Sequence, residues 1–216
     1  GSYFNNNLAP KTSSMVRDAE KLTFIEVNSE LEALLLEANL IRKHQPHYNS
    51  ACKDDKHPLY IKITKDVYPR VITARKSDLP AGRQESKYSR AIFGPFPNSS
   101  YVRSVLRMLR RIFPFSDHLP GRWPCFDSQL GFCNPCPSEI ENLPAVRQGL
   151  RNKMRRQYLW NIRMIKRILT GNIDRVFNEL RKNMEDFSKE EKFEEAAIYR
   201  EQIRRLEYVT QPITPA

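Results

Sequence analysis

Apolar residues recur at helical spacing in five long stretches of the chain and alternate with polar ones in several short stretches. In residues 29–49, Leu31, Leu34, Leu35, Ala38 and Ile41 define one apolar helix face. Ser29 with Glu32 three residues later is a capping-box start, and Arg42, Lys43 and His44 suit the negative end of the helix dipole before Pro46 stops it. Residues 99–113 carry Val102, Val105, Leu106, Leu109 and Ile112 on one face. Residues 145–169 carry Leu159, Ile162, Ile165 and Leu169, with Gly171 as the C′ residue. Residues 173–187 and 193–208 form a pair around the polar break 188–192, which predicts an antiparallel helical hairpin. Its apolar sets are Ile173, Val176, Phe177, Leu180 and Met184, then Phe193, Ala196, Ala197, Ile203 and Leu206. Such a hairpin has little core of its own, so it should leave an apolar patch for a partner. A short helix is expected over residues 14–21. Alternation predicts a strand at 22–27 leading into the Ser29 helix, and an antiparallel pair at 59–64 and 70–74. A third strand is expected at 91–93, ended by Gly94-Pro95. The class is α+β.

Charge adds a partner class to this picture. The 216 residues carry a net charge of +11, with 36 Lys and Arg against 25 Asp and Glu, which points to a polyanion and to nucleic acid before acidic lipid. No stretch approaches the ~20 apolar residues of a membrane span, and no signal-peptide pattern opens the chain. Glycine is scarce and proline plentiful (7 and 15), as in short modules with proline-punctuated connections. The chain starts at Gly1 rather than methionine, which reads as a fragment or a processed product. Arg103, Arg107 and Arg110 recur along the 99–113 helix with Arg111 beside them and no interleaved Glu. That stripe reads either as a solvated face or as a track along phosphates that sets affinity without sequence preference. The 145–169 helix is similarly basic, Arg155 and Arg156 included, and places Tyr158 and Trp160 among the charges. It can bind backbone and stack on bases, or bury its apolar face with Trp160 half covered.

Four cysteines without a secretory signal suit a reducing compartment, the cytoplasm, and ligation rather than disulfides. Cys125, Cys133 and Cys136, with seven and two residues between them, read as thiolate ligands for zinc or iron–sulfur iron and require a fourth ligand. Cys52 is a remote candidate.

The stretch SELEALLLEANLIRKHQPHYN, followed by KDDKHPLYIKIT and FGPFP, resembles the N-terminal part of the UvrC family, the incision subunit of bacterial nucleotide excision repair. The resemblance implies that the Ser29 helix closes a GIY-YIG nuclease domain, with Glu37 as ligand of one divalent cation (Mg or Mn) and Asn49 as the active-site asparagine. Ser2-Tyr3-Phe4 is similar to the segment after the family's catalytic arginine. Neither the GIY nor the YIG tripeptide occurs here, so the nuclease unit is incomplete and the chain alone is not expected to cut DNA. WPCFDSQLGFCNPC resembles the family's cysteine region, which carries a four-cysteine [4Fe–4S] cluster. His118 stands where the first of those cysteines falls, and two residues rather than three separate Cys133 from Cys136. Iron–sulfur and Cys₃His zinc both remain open on this basis. Residues 184–209 resemble the UVR motif, which implies docking onto a matching UvrB hairpin through Phe193, Ala196, Ala197 and Arg200.

The expected organisation is a nuclease-like piece at 1–51, a small α+β module at 52–115 and a Cys/His segment at 116–138. A basic helical region at 139–170, the hairpin at 171–210 and a linker at 211–216 follow. The expected function is that of a repair incision subunit binding DNA and UvrB. The alternatives are a non-catalytic module that binds both, or an unrelated zinc-dependent nucleic-acid binder.

Overall fold

The structure is a computed structural model that describes residues 9–27, 29–48, 59–78, 89–96 and 99–210. The chain is α+β, with its elements in the order α1 (Pro10–Asp18), α2 (Glu30–His44), β1 (Leu59–Thr64), β2 (Val71–Arg75), β3 (Ser89–Phe96) and α3 (Ser99–Ile112). Two one-turn helices, α4 (Phe126–Gln129) and α5 (Pro137–Glu141), lie in the cysteine segment. Three long helices follow: α6 (Gln148–Leu169), α7 (Ile173–Lys189) and α8 (Phe193–Thr210).

α2 has the expected ends. The Ser29 hydroxyl accepts from the Glu32 N–H at 3.2 Å, and Gln45 closes the helix in the left-handed region with its N–H on the Ile41 carbonyl. Leu31, Leu34, Leu35, Ala38 and Ile41 are buried, and the helix packs on β3. The stretch before it is a correction. Residues 21–27 form no strand, and Leu22, Phe24 and Ile25 stand in solvent. Alternation supplies two faces, but a strand exists only against a hydrogen-bonding edge, and no described segment offers one here.

The sheet is antiparallel throughout, in the order β2-β1-β3. Central β1 aligns Ile61 with Thr73 and Phe93, and Ile63 with Val71 and Ala91, so both isoleucines are fully buried. The β1–β2 turn is closed by Asp66, which accepts from Thr64 Oγ1 and Arg70 Nε while Thr64 Oγ1 accepts from the Arg70 N–H. β3 begins earlier and runs further than 91–93. Gly94 does not end it; the ladder bulges there and resumes with Phe96 opposite Leu59. Gly94 has φ of +117°, and a Cβ on it would lie 3.0 Å from the Leu59 carbonyl oxygen, so the bulge depends on glycine.

α3 buries Val102, Val105, Leu109 and Ile112, each worth roughly 1.5–3 kcal/mol. α6 buries Tyr158, Ile162, Ile165, Ile168 and Leu169, which decides against base stacking by its aromatics. Tyr158 is fully buried, and Trp160 packs edge-on to Phe113 and Tyr199 with its N–H on Glu179. Gly171, at φ +83°, turns the chain into α7 as expected. α7 and α8 form the antiparallel hairpin, closed by the Lys192 N–H on the Phe187 carbonyl. One buried cluster runs from Leu31 of α2 through the sheet and α3 to Leu206 of α8. α8 is also tied to the end of α3 by Gln202 on the Ile112 carbonyl and Arg205 on the Arg111 carbonyl.

Candidate functional site

The best-defined chemical site is built by the loop between α3 and α6. Phe113 and Phe115 plant its start in the core, and Arg110 lies over the Phe115 ring at 4.5 Å. The Arg110 guanidinium donates to Asp117 at 2.8 Å and to Asp127 at 2.7 Å, joining the two halves of the loop. From below, α6 supplies Tyr158, whose hydroxyl donates to the Pro69 carbonyl and accepts from the Ser116 N–H, and Asn161, which donates to the carbonyls of Pro114 and Asn134. Asn142 holds the carbonyls of Gly121 and Arg122, and Ser138 Oγ accepts from the Gly121 N–H. These supports converge on four ligating side chains. A His118 ring nitrogen and the sulfurs of Cys125, Cys133 and Cys136 all lie within 4.8 Å of one another. Cys125 and Cys136 each stand at the N-terminus of a one-turn helix, with their sulfurs 3.8 Å apart.

Three thiols in one pocket perturb each other. Burial raises the Cys133 thiol well above its ordinary value, and the neighbouring Cys136 and Cys125 charges add to the shift. Burial likewise raises Cys125. Burial also acts to raise Cys136, but the N–H groups of Cys125, Glu139 and Ser138 around its sulfur outweigh that and leave it lowered. The His118 Nδ1 sits 2.8 Å from the Leu119 carbonyl, so it carries the proton, and Nε2 is left buried with no hydrogen-bond partner among the described residues. Cys52 lies outside the described residues.

The arginine stripe divides. Arg103, Arg107 and Arg111 are exposed on α3, and neither Arg107 nor Arg111 has a carboxylate partner among the described residues. Arg110, on the same side of the helix, is only one-fifth exposed and is engaged by two aspartates, Asp117 and Asp127. Arg155 and Arg156 are exposed on α6.

On the hairpin, the expected apolar side of α8 splits into two faces. Ile203 and Leu206 enter the core, and Gln202 is buried with them. Phe193, two-thirds exposed, points away with Ala197 and Arg200. Together with Met184, Glu185, Ser188 and Lys189 of α7 they line an open groove of about 530 Å³ floored by Ala196. Glu185, Ser188 and Lys189 are groove residues that the apolar pattern alone does not single out. Their signal is the α7 phase, which puts them on the side of Met184 that faces the partner helix.

Glu37 is exposed on α2 and belongs to no grouping of three or more ligating side chains among the described residues. Asn49 lies outside the described residues. Its neighbour Tyr48 donates to the Asp18 carboxylate and so ties the end of α2 to α1. That hydrogen bond holds Asp18 below its ordinary value.

These features define a basic chain with a helical hairpin that carries an open groove and with a cysteine-rich cluster of potential ligands, and comparison with known proteins gives the class a family. The UvrC-like GIY-YIG domain matches residues 1–50, and the UvrB/uvrC motif matches residues 174–209. Over 206 residues the chain is 34% identical to UvrABC system protein C of Streptococcus thermophilus, covering 95% of this chain and 31% of that protein. It is 35% identical to the protein of that name from Cronobacter sakazakii over 217 residues, covering 97% and 32%. No solved structure matches. The chain belongs to the UvrC family, and it spans about a third of the length of these relatives.

Proposed function

We propose that this chain is a DNA- and UvrB-binding part of the incision subunit of nucleotide excision repair. The observation that carries the reading is the open groove at the hairpin tip. An aromatic side chain stands in solvent beside two alanines, on the segment that matches the UvrB/uvrC motif and turned away from the chain's own core. A partner hairpin of the same kind would cover Phe193, with Arg200, Glu185 and Lys189 as its charged rim. DNA would be held by phosphate contacts from Arg103, Arg107 and Arg111 of α3 and from Arg155 and Arg156 of α6. Such contacts give affinity that falls steeply with salt. Glu37 would ligate a Mg or Mn ion together with groups supplied around it, with Asn49 beside the reacting phosphate. One exposed carboxylate holds such an ion weakly without further ligands or substrate phosphates, so the 216-residue chain is expected to bind DNA without nicking it. Metal-dependent nicking that Glu37→Gln abolishes would overturn that expectation. For the docking reading, Phe193→Ala should weaken association with purified UvrB at least tenfold; unchanged association would refute the groove as the docking site.

A further inference from the structure

We infer that His118, Cys125, Cys133 and Cys136 form a closed four-coordinate site for a single zinc-class divalent ion, and that the [4Fe–4S] cluster implied by the family resemblance does not fit them. Size favours the single ion. A tetrahedral ion with metal–sulfur bonds of about 2.3 Å sets its sulfurs about 3.8 Å apart. The Cys125 and Cys136 sulfurs are 3.8 Å apart, and all four donor atoms fall within 4.8 Å of one another. Thiolates on different irons of a cluster have an iron–iron separation between them as well as two iron–sulfur bonds. They therefore stand further apart than one edge of a single-ion tetrahedron.

The histidine favours it as well. Its Nδ1–H is fixed on the Leu119 carbonyl, which selects the tautomer with a lone pair on Nε2. That nitrogen is buried and has no other partner among the described residues, an arrangement that leaves a polar atom uncompensated unless a ligand meets it. A ring nitrogen held by a carbonyl through its other nitrogen is how proteins orient an imidazole on a metal ion. The spacing of Cys133 and Cys136 is compatible with this ion. Two intervening residues bring both sulfurs to one ion, as in the short ligand pairs of structural zinc sites. Three sulfurs and a ring nitrogen gathered within 4.8 Å of one another supply the soft donor set that a zinc-class dication takes.

Four protein ligands leave no open coordination position. The ion would therefore be a staple that fixes the loop between α3 and α6, rather than a redox or hydrolytic centre. Metal binding at this site stands apart from DNA and UvrB binding, which can succeed or fail independently of it. The test is to produce the full chain in cells supplied with both iron and zinc and to purify it without oxygen. Zinc, iron and acid-labile sulfide are then measured alongside the visible spectrum. The expected result is about one zinc per chain with no sulfide. Replacement by cobalt should give the intense ligand-field bands of a tetrahedral site with sulfur-to-cobalt charge transfer. His118→Ala should lower zinc affinity more than tenfold. His118→Cys should keep one ion per chain and strengthen the charge-transfer band. About four irons and four sulfides per chain would overturn the inference, as would a chain that binds no stoichiometric metal. A cobalt spectrum indifferent to His118→Ala would overturn the histidine's place in it.

Discussion

Arg107 and Arg110 lie one turn apart on α3 and carry the same charge, yet the structure gives them different work. Arg107 stands in solvent with no acidic partner among the described residues, whereas Arg110 joins Asp117 and Asp127 across the cysteine loop. Arg107→Ala should lower DNA affinity and reduce the slope of log affinity against log salt by about one, leaving thermal stability unchanged. Arg110→Ala should instead destabilise the chain, by about 1–3 kcal/mol for the loss of two charge-assisted hydrogen bonds, with little change in the salt slope. Chemical denaturation and salt-dependent binding of the two variants separate the roles. Glu179 makes a pH-dependent prediction at the same scale. Burial acts to raise its carboxyl, but Arg167 and the Trp160 N–H outweigh that and hold it below its ordinary value of 4.5. A carboxyl lowered in the folded state contributes stability that is present above its unfolded value and lost as pH falls through the folded one. Glu179→Gln should therefore cost on the order of 1 kcal/mol at neutral pH, the pair being partly exposed. The gap from the unaltered chain should close as the pH drops below 4.5, which urea titrations across that range would show.

At the scale of elements, the least replaceable residue is Gly94. Its positive φ strains any side chain, and a Cβ there would lie only 3.0 Å from the Leu59 carbonyl oxygen, tighter than ordinary contact. Gly94→Ala should therefore cost more than about 1 kcal/mol and lower the melting temperature. A variant as stable as the original would show that the bulge relaxes. The same position marks a limit of reading the chain. Gly-Pro punctuation normally ends a strand, but here Phe96 is fully buried beyond it and draws the ladder onward. The Ser29 helix is legible to its last residue because its cap, apolar face and terminal proline all lie within a short stretch. Residues 22–27 mislead for the opposite reason: alternation describes the side chains and is silent on the edge that must accept them. On α8, the apolar residues are correct as a set but not as one face, since Phe193 and Ala197 lie on the opposite side of the helix from Leu206. Helical spacing is readable; which face meets α3 is decided by residues some ninety positions away, Ile112 and Arg111.

Across the whole molecule, the cysteine site shows what sequence spacing supplies and what it omits. Three thiols with short spacing announce a ligand site, and His118 joins them through the family resemblance. Tyr158 and Asn161, which hold that loop from α6, carry no signal, because their contacts with Pro69, Ser116, Pro114 and Asn134 are all distant in sequence. The buried cluster that runs from α2 to α8 joins segments whose composition suggests separate modules. Upon this common core, two outward surfaces have no shared residue: Arg103 and Arg107 of α3, and the Phe193 groove at the hairpin tip. Each surface should therefore be open to loss without the other. The most direct measurement is the affinity of Phe193→Ala and Arg107→Ala, each titrated against purified UvrB and against a DNA duplex at fixed salt. Phe193→Ala should lose UvrB at least tenfold and keep DNA affinity, and Arg107→Ala should show the reverse preference. UvrB binding that survives Phe193→Ala, or a loss of both ligands by either variant, would contradict the account.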